Sequence, residues 1–144
     1  MQIKYMKKED VSEVAAVGRR NFTHSWEEQD YLEHLEDRDK IHLVARMDGS
    51  IAGSCVVWCS FETADLCNIV VAESYRRKGI AQALLQEVFE QCRNKAVDRI
   101  LLEVREGNTP ALELYKKMGF HKISIRKDYY REPVENAVIL QKNI

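Results

Sequence analysis

Apolar residues change their spacing several times along this chain, and each change marks an element. Ile3–Met6 reads as a short edge strand. From Asp10 the apolar positions fall at Val11, Val14, Ala15, Gly18 and Phe22, the spacing of one helix face. After a polar break and Trp26, Glu27–Leu35 reads as a second, shorter helix with Tyr31, Leu32 and Leu35 on one side. Ile41–Met47 and Ile51–Cys59 are rich in strand formers, and Asp48-Gly49 between them signals a hairpin turn. A turn at Glu62–Ala64 leads into a third apolar strand, Leu66–Ala72.

Helical spacing returns from Ile80 to Lys95. Its stripe is Ile80, Leu84, Val88 and Cys92, flanked by Leu85 and Phe89, with Gln82, Gln86, Glu90 and Arg93 facing outward. Arg99–Arg105 is again a strand. Thr109 reads as the N-cap of the next helix, Pro110 as its first residue and Gly119 as its stop. Phe120–Arg126 and Ala137–Gln141 close the chain as two more strands. The order β-α-α-β-β-β-α-β-α-β-β predicts one α/β domain over residues 1–144, built on a single mixed sheet.

Composition narrows the function classes. At 144 residues the chain can bury a core without staples, and 45% hydrophobic with 31% charged residues is ordinary for a soluble globular protein. A net charge of −1 argues against broad neutralisation of a nucleic acid, so no nucleic-acid partner is expected. No run approaches the ~18 apolar residues of a membrane span, and the first ten residues lack the apolar stretch of a signal peptide. A cytoplasmic protein is expected, with Cys55, Cys59, Cys67 and Cys92 reduced. Cys55 and Cys59 share one strand face too far apart to chelate a single ion, and no CxxC or His pair accompanies them; no metal is expected.

Two stretches carry the candidate chemistry. Arg76-Arg77-Lys78-Gly79-Ile80-Ala81 leaves a strand and opens a helix. Free N–H groups and the helix dipole favour an anion there, Gly79 removes a Cβ from its path, and the cations add charge. The loop is neither GxxxxGK[ST] nor GxGxxG. By itself it also fits a solvated basic turn. In the second stretch, Glu103 shares a strand face with Leu101 and Arg105, Asn108 stands at the mouth of the following helix, and Tyr115 lies on that helix near Ala111, Leu112 and Met118. Taken singly, these fit a solvent-paired carboxylate, a turn residue and a core aromatic. Their spacing downstream of an anion loop suits acyl transfer from a phosphate-bearing carrier to an amine.

Arg76-x-x-Gly79-x-Ala81 resembles the pyrophosphate loop of the GNAT N-acetyltransferase superfamily. Leu102-Glu-Val-Arg-x-x-Asn108, Ala111, Leu114-Tyr115 and Gly119-Phe120 resemble its RimI branch of ribosomal-protein-alanine N-acetyltransferases. Arg126-x-x-Tyr129-Tyr130, the Glu135–Leu140 strand and the segment from Phe22 to Trp26 resemble that branch too, so the likeness covers the whole chain. The resemblance implies the GNAT fold, with about seven strands flanked by about four helices, and acetyl-CoA as cosubstrate. It implies that Glu103 acts as general base and Tyr115 as general acid toward the coenzyme A thiolate. The backbone of Ile69, Val70 and Val71 would receive the acetyl–pantetheine end. Arg77, Lys78, Gly79, Ile80, Ala81 and Gln82 would receive the pyrophosphate, and Asn108 would contact the cofactor. Ala81 departs from the second Gly of many relatives, and residues 21–35 and 128–136 match the branch only in outline.

The branch implies a protein N-terminus as acceptor, typically the alanine of the eighteenth small-subunit ribosomal protein. An α-amine has a pKa about 2.5 units below that of Lys, worth ~3.5 kcal/mol at the nucleophile, so one carboxylate suffices. Two other readings stay open. Glu27, Glu28, Asp30, Glu33, Glu36 and Asp37 supply negative charge that a polyamine or aminoglycoside acceptor would use. A non-catalytic acyl-CoA-binding module is the third, and the presence of both Glu103 and Tyr115 weighs against it.

Overall fold

The computed structural model describes residues 1–22 and 25–144. The strands are β1 (Gln2–Tyr5), β2 (Lys40–Met47), β3 (Ser50–Ser60), β4 (Thr63–Val71), β5 (Arg99–Arg105), β6 (His121–Arg131) and β7 (Val134–Asn143). The α-helices are α1 (Val11–Asn21), α2 (Glu28–Leu32), α3 (Ile80–Asn94) and α4 (Thr109–Lys117). The strands form one sheet in the order β1-β2-β3-β4-β5-β7-β6. Every neighbouring pair is antiparallel except β4 and β5, which the α3 crossover makes parallel.

Both faces of the central strands are covered, so their sequences read as nearly continuous apolar runs. On one face Ile41, Leu43, Cys55, Val57, Ile100, Leu102 and Val104 pack with Leu84, Leu85, Val88 and Cys92 of α3 and Tyr115 of α4. On the other, Val44, Val56 and Val70 pack with Val11, Val14 and Val17 of α1 and Tyr31 of α2. Fully burying one such aliphatic side chain contributes about 1.5–3 kcal/mol. Gly53 of β3 lets α3 settle close. A Cβ there would lie 2.8 Å from the Val70 carbonyl oxygen and 2.9 Å from Ile80 Cγ2. The backbone oxygen cannot move aside, so a larger residue would push helix and strands apart.

The element order agrees with the sequence expectation, and four details differ. The second helix ends at Leu32 rather than Leu35. Tyr31 enters the core, Leu32 is exposed, and turns carry the chain onward through His34, which hydrogen-bonds Asp37 at 2.9 Å, and Leu35, which packs against the core edge. The hairpin between β3 and β4 turns at Phe61-Glu62, so β4 begins at Thr63. Asn108, not Thr109, caps α4: its Oδ1 accepts from the Ala111 N–H at 3.3 Å, which places Pro110 second in the helix. β6 runs on to Arg131 by shifting its pairing with β7 between Arg126 and Tyr130. Of the segment from Phe22 to Trp26, Thr23 and His24 lie outside the described residues.

Candidate active site

The centre of the sheet opens where its one parallel pairing stops. β4 and β5 pair only at Thr63–Arg99, Ala64–Ile100 and Asp65–Leu101. Beyond that rung β4 continues to Val71 and β5 to Arg105. The cause lies in β4. Val56 pairs with Asn68 and Val57 with Leu66, leaving Cys67 as an extra residue. Such a bulge bends its strand and swaps its faces. Before it, Ala64 and Leu66 face α3; after it, Ile69 and Val71 do, while Val70 turns toward α1. Ile69, Val70 and Val71 keep β3 partners on one side and have no β5 partner on the other. An extended ligand can lie along that edge.

At the wide end of the wedge stands the start of α3. Gly79 is its N-cap at φ +75°, a left-handed conformation that favours glycine, and nothing lies within 4 Å of where a Cβ would be. Arg77 is left-handed too, at φ 63°. Among the described residues no side chain accepts from the first-turn amides of α3, and that turn carries no acidic residue. The 3-10 turn at Lys8–Asp10 and the helices α2 and α4 differ: Asp10, Asp30 and Asn108 hydrogen-bond amides there. The N–H groups at Gly79, Ile80, Ala81 and Gln82, beside Arg77 and Lys78, have the arrangement that suits an anion. Arg76 is engaged elsewhere, donating to Asn21 Oδ1 at the end of α1.

Glu103 and Tyr115 lie on opposite faces of the opening. Glu103 projects from β5 on the face away from α3, with its side chain 34% exposed. Arg126 Nη1 of β6 stands 3.8 Å from its Oε1. The same carboxylate, acting on the Tyr129 hydroxyl, pushes the phenol pKa up, with burial adding to it. Tyr130 is pushed up by burial first and by the charge of Glu103 second. The Arg105 guanidinium sits 4.4 Å from the Tyr130 ring and 3.1 Å from Glu135 Oε1, tying β5 to the β6–β7 corner.

Tyr115 is buried under the sheet, its ring 5.5 Å from Phe120 in an edge contact. Burial, with smaller contributions from the charges of Cys55 and Tyr130, pushes its pKa up to about 12. Its hydroxyl therefore stays protonated throughout the neutral range. The Asn108 cap fixes the start of the helix that carries it. That cap occupies Asn108 Oδ1 and leaves Nδ2 as the group able to reach a ligand.

Asp65 borders the opening, and the sequence alone does not point to it. It pairs with Leu101, two residues from Glu103 along β5, and its carboxyl pKa is raised by burial and then by the charge of Glu103. Nothing local in β4 signals this, because the strand that faces Asp65 lies some 35 residues on.

Residues 11–120 match the model of the Acetyltransferase (GNAT) family. The chain belongs to that family. This GNAT protein is 34% identical over 139 residues to a Bacillus subtilis protein provisionally named [ribosomal protein bS18]-alanine N-acetyltransferase, with 96% of this chain and 92% of that one covered. Its fold matches the crystal structure of the ribosomal-protein-S18-alanine N-acetyltransferase from Escherichia coli at a TM-score of 0.91 and 26% identity, over 99% of this chain and 93% of that one. A GNAT acetyltransferase from Elizabethkingia anophelis, solved with acetyl-CoA bound, matches at a TM-score of 0.70 and 26% identity, over 81% and 80%. The seven-stranded mixed sheet with four α-helices is the GNAT fold.

Proposed function

We propose that this protein transfers the acetyl group of acetyl-CoA to the N-terminal α-amino group of a protein, with the N-terminal alanine of a ribosomal protein as the favoured acceptor, in the cytoplasm. The observation that carries the reading is the wedge beyond Asp65–Leu101, with Glu103 on one face and the protonated Tyr115 on the other.

In this reading the pyrophosphate rests on the amides from Gly79 to Gln82, with Arg77 and Lys78 beside it. The pantetheine arm adds along the free edge at Ile69, Val70 and Val71, and the Asn108 amide supports it from the α4 side. Donors along that edge can also polarise the thioester carbonyl as it gains negative charge. Glu103 accepts a proton from the acceptor ammonium, directly or through water. The neutral amine attacks the thioester carbon, the C–S bond breaks, Tyr115 gives its proton to the departing sulfur, and the proton that the nitrogen sheds as the amide forms returns through water to Tyr115. Tyr129 and Tyr130 border the entry on the Glu103 face. No cysteine nucleophile is needed, which suits the buried Cys55.

The acidic residues of the α2 region do not favour a polyamine acceptor. Glu27, Glu28, Asp30, Glu33, Glu36 and Asp37 are exposed, Asp30 caps its own helix and Asp37 pairs with His34 and Lys40. The test is to present acetyl-CoA with a library of N-terminal hexapeptides and a panel of polyamines, and to read products by mass spectrometry. Acetylation of peptides beginning with small residues is expected. Turnover on polyamines alone sinks the reading.

A further inference from the structure

The end of the molecule away from the anion loop holds two thiols that acetyl transfer does not use. Helix α3 is set against β3 at Gly53, which faces Ile80 and Leu84. From Ile80 to Cys92 the helix climbs about 18 Å. From Gly53 to Cys59 the strand advances about 20 Å in the same direction. The two spans end together, with Cys92 in the last turn of α3 over Cys59 at the end of β3. Cys59 packs against the core cluster that contains Cys92, close enough for each thiol to shift the other's protonation. Adjacent residues of one loop tie the same corner: Lys95 Nζ donates to the Arg38 carbonyl at 2.7 Å, and the Cys59 N–H to the Asp39 carbonyl at 2.7 Å.

We propose that Cys59 and Cys92 are a redox-active dithiol that low-molecular-weight disulfides oxidise to an intramolecular disulfide. Cys59 is the attacking sulfur. It is half-buried and so reachable, whereas Cys92 is fully buried. The neighbouring Cys92 thiol first, with Lys95 and Lys40 nearby, holds the Cys59 thiol pKa below the ordinary value against burial and Asp39. Cys92 keeps its proton at first, because the neighbouring sulfur and burial push it up and the helix C-terminus disfavours an anion.

The Cys59 thiolate attacks one sulfur of the small disulfide, forming a mixed disulfide and expelling one small thiolate. That thiolate takes the Cys92 proton. The Cys92 sulfur then attacks Cys59 Sγ and expels the second small thiolate, which picks up a proton from water. The two protein thiols are oxidised and the small disulfide is reduced to two thiols.

The other cysteines make poor partners. Cys55 is on the same face of β3 but about 13 Å along the strand from Cys59, and burial pushes its thiol up to about 12. Cys67 is exposed but its thiol is pushed up to about 11, by dehydration of the sulfur and then by the charge of Asp65.

The test exposes the reduced full-length chain to oxidised glutathione at neutral pH and follows intact mass, with a peptide map of the products. The wild-type protein should lose two hydrogen atoms, retain no glutathione, and yield a Cys59–Cys92 cross-linked peptide. Cys92→Ser should hold one glutathione on Cys59. Cys59→Ser, at the half-buried position, should form no cross-link, and serves if the buried substitution fails to fold. Three outcomes overturn the proposal: glutathione that stays on wild-type Cys59, first reaction at Cys67, or no reaction at Cys59.

Discussion

Asp65 and Leu101 are the last paired residues between β4 and β5. The residue after next on β5 is Glu103, so the carboxylate proposed as base stands at the first point where the sheet is open. Glu103→Gln keeps the shape of the side chain and removes its charge. Turnover is expected to fall by about 100-fold or more, the range for losing a general base. Acetyl-CoA binding, proposed to use the α3 amides and the β4 edge, should stay within a factor of two or so by calorimetry. Equal turnover in variant and wild type removes Glu103 from the mechanism.

Tyr115 makes a prediction about pH. Burial raises its pKa to about 12, so the acid form persists until strongly alkaline solution. An acid must be protonated to work, and a raised pKa extends its working range upward. With a peptide acceptor, kcat/KM should climb as the α-amine loses its proton around pH ~8 and then hold level to about pH 10. A descending limb centred near pH 9 assigns the acid to another group. Tyr115→Phe should lower kcat by about 100-fold with a smaller change in KM.

Much of this was legible in the sequence, because local pattern sets local structure. The stripe Ile80, Leu84, Val88 and Cys92 does face the sheet, and Asp48-Gly49 does turn the β2–β3 hairpin. The bulge at Cys67 was not legible, since the run Leu66–Ala72 is apolar on both sides of it and alternation cannot register an extra residue. Asp65 was invisible for a related reason. Its partner is set by a parallel crossover, and no short-range signal fixes which rung comes last. Asn108 was placed at the helix mouth but read as outside the cap, a one-residue ambiguity that only the hydrogen bond to Ala111 resolves.

That cap can be weighed. Asn108→Ala removes the bond to the Ala111 N–H and should cost about 1 kcal/mol of stability, read from the urea midpoint. If the amide Nδ2 also contacts acetyl-CoA, Kd should rise in Asn108→Ala and also in Asn108→Asp, which preserves the cap oxygen and loses only the Nδ2 donor. Equal Kd in Asn108→Ala, Asn108→Asp and wild type leaves Asn108 a structural cap alone.

The anion loop depends on backbone shape at Gly79. Its φ of +75° is strained for any L side chain, while a Cβ there meets nothing within 4 Å. Gly79→Ala should therefore act through the backbone, at a cost of about 1–2 kcal/mol if the left-handed turn is kept. If the loop relaxes instead, its amides swing away from the pyrophosphate. Acetyl-CoA Kd should then rise about tenfold while the fold stays intact by circular dichroism. Unchanged affinity in a variant that shows no loss of stability, and so has relaxed its loop, means the amides from Gly79 to Gln82 do not hold the phosphate.

His42 is expected to make the fold sensitive to acid. It lies on β2 beneath α2, only 3% exposed, 6.5 Å from the Tyr31 ring, and neither ring nitrogen has a partner among the described residues. Burial first, then the charges of His34 and Lys40 against that of Asp37, lower its pKa from 6.5 to about 4. Between those two values the unfolded chain binds a proton that the folded chain refuses. Stability is therefore full above pH 6.5 and falls as pH drops toward 4. By pH 4.5 the loss from this one residue should be about 2–3 kcal/mol. His42→Phe keeps a ring in the site and removes the titration. Urea unfolding of both proteins at pH 7 and pH 4.5 isolates the effect, since the other ionisable groups are common to the pair. The wild type should lose about 2–3 kcal/mol more than the variant over that interval. Parallel losses in the two proteins place the acid sensitivity elsewhere, with the Asp10–Arg46 ion pair at 2.7 Å as the next group to test.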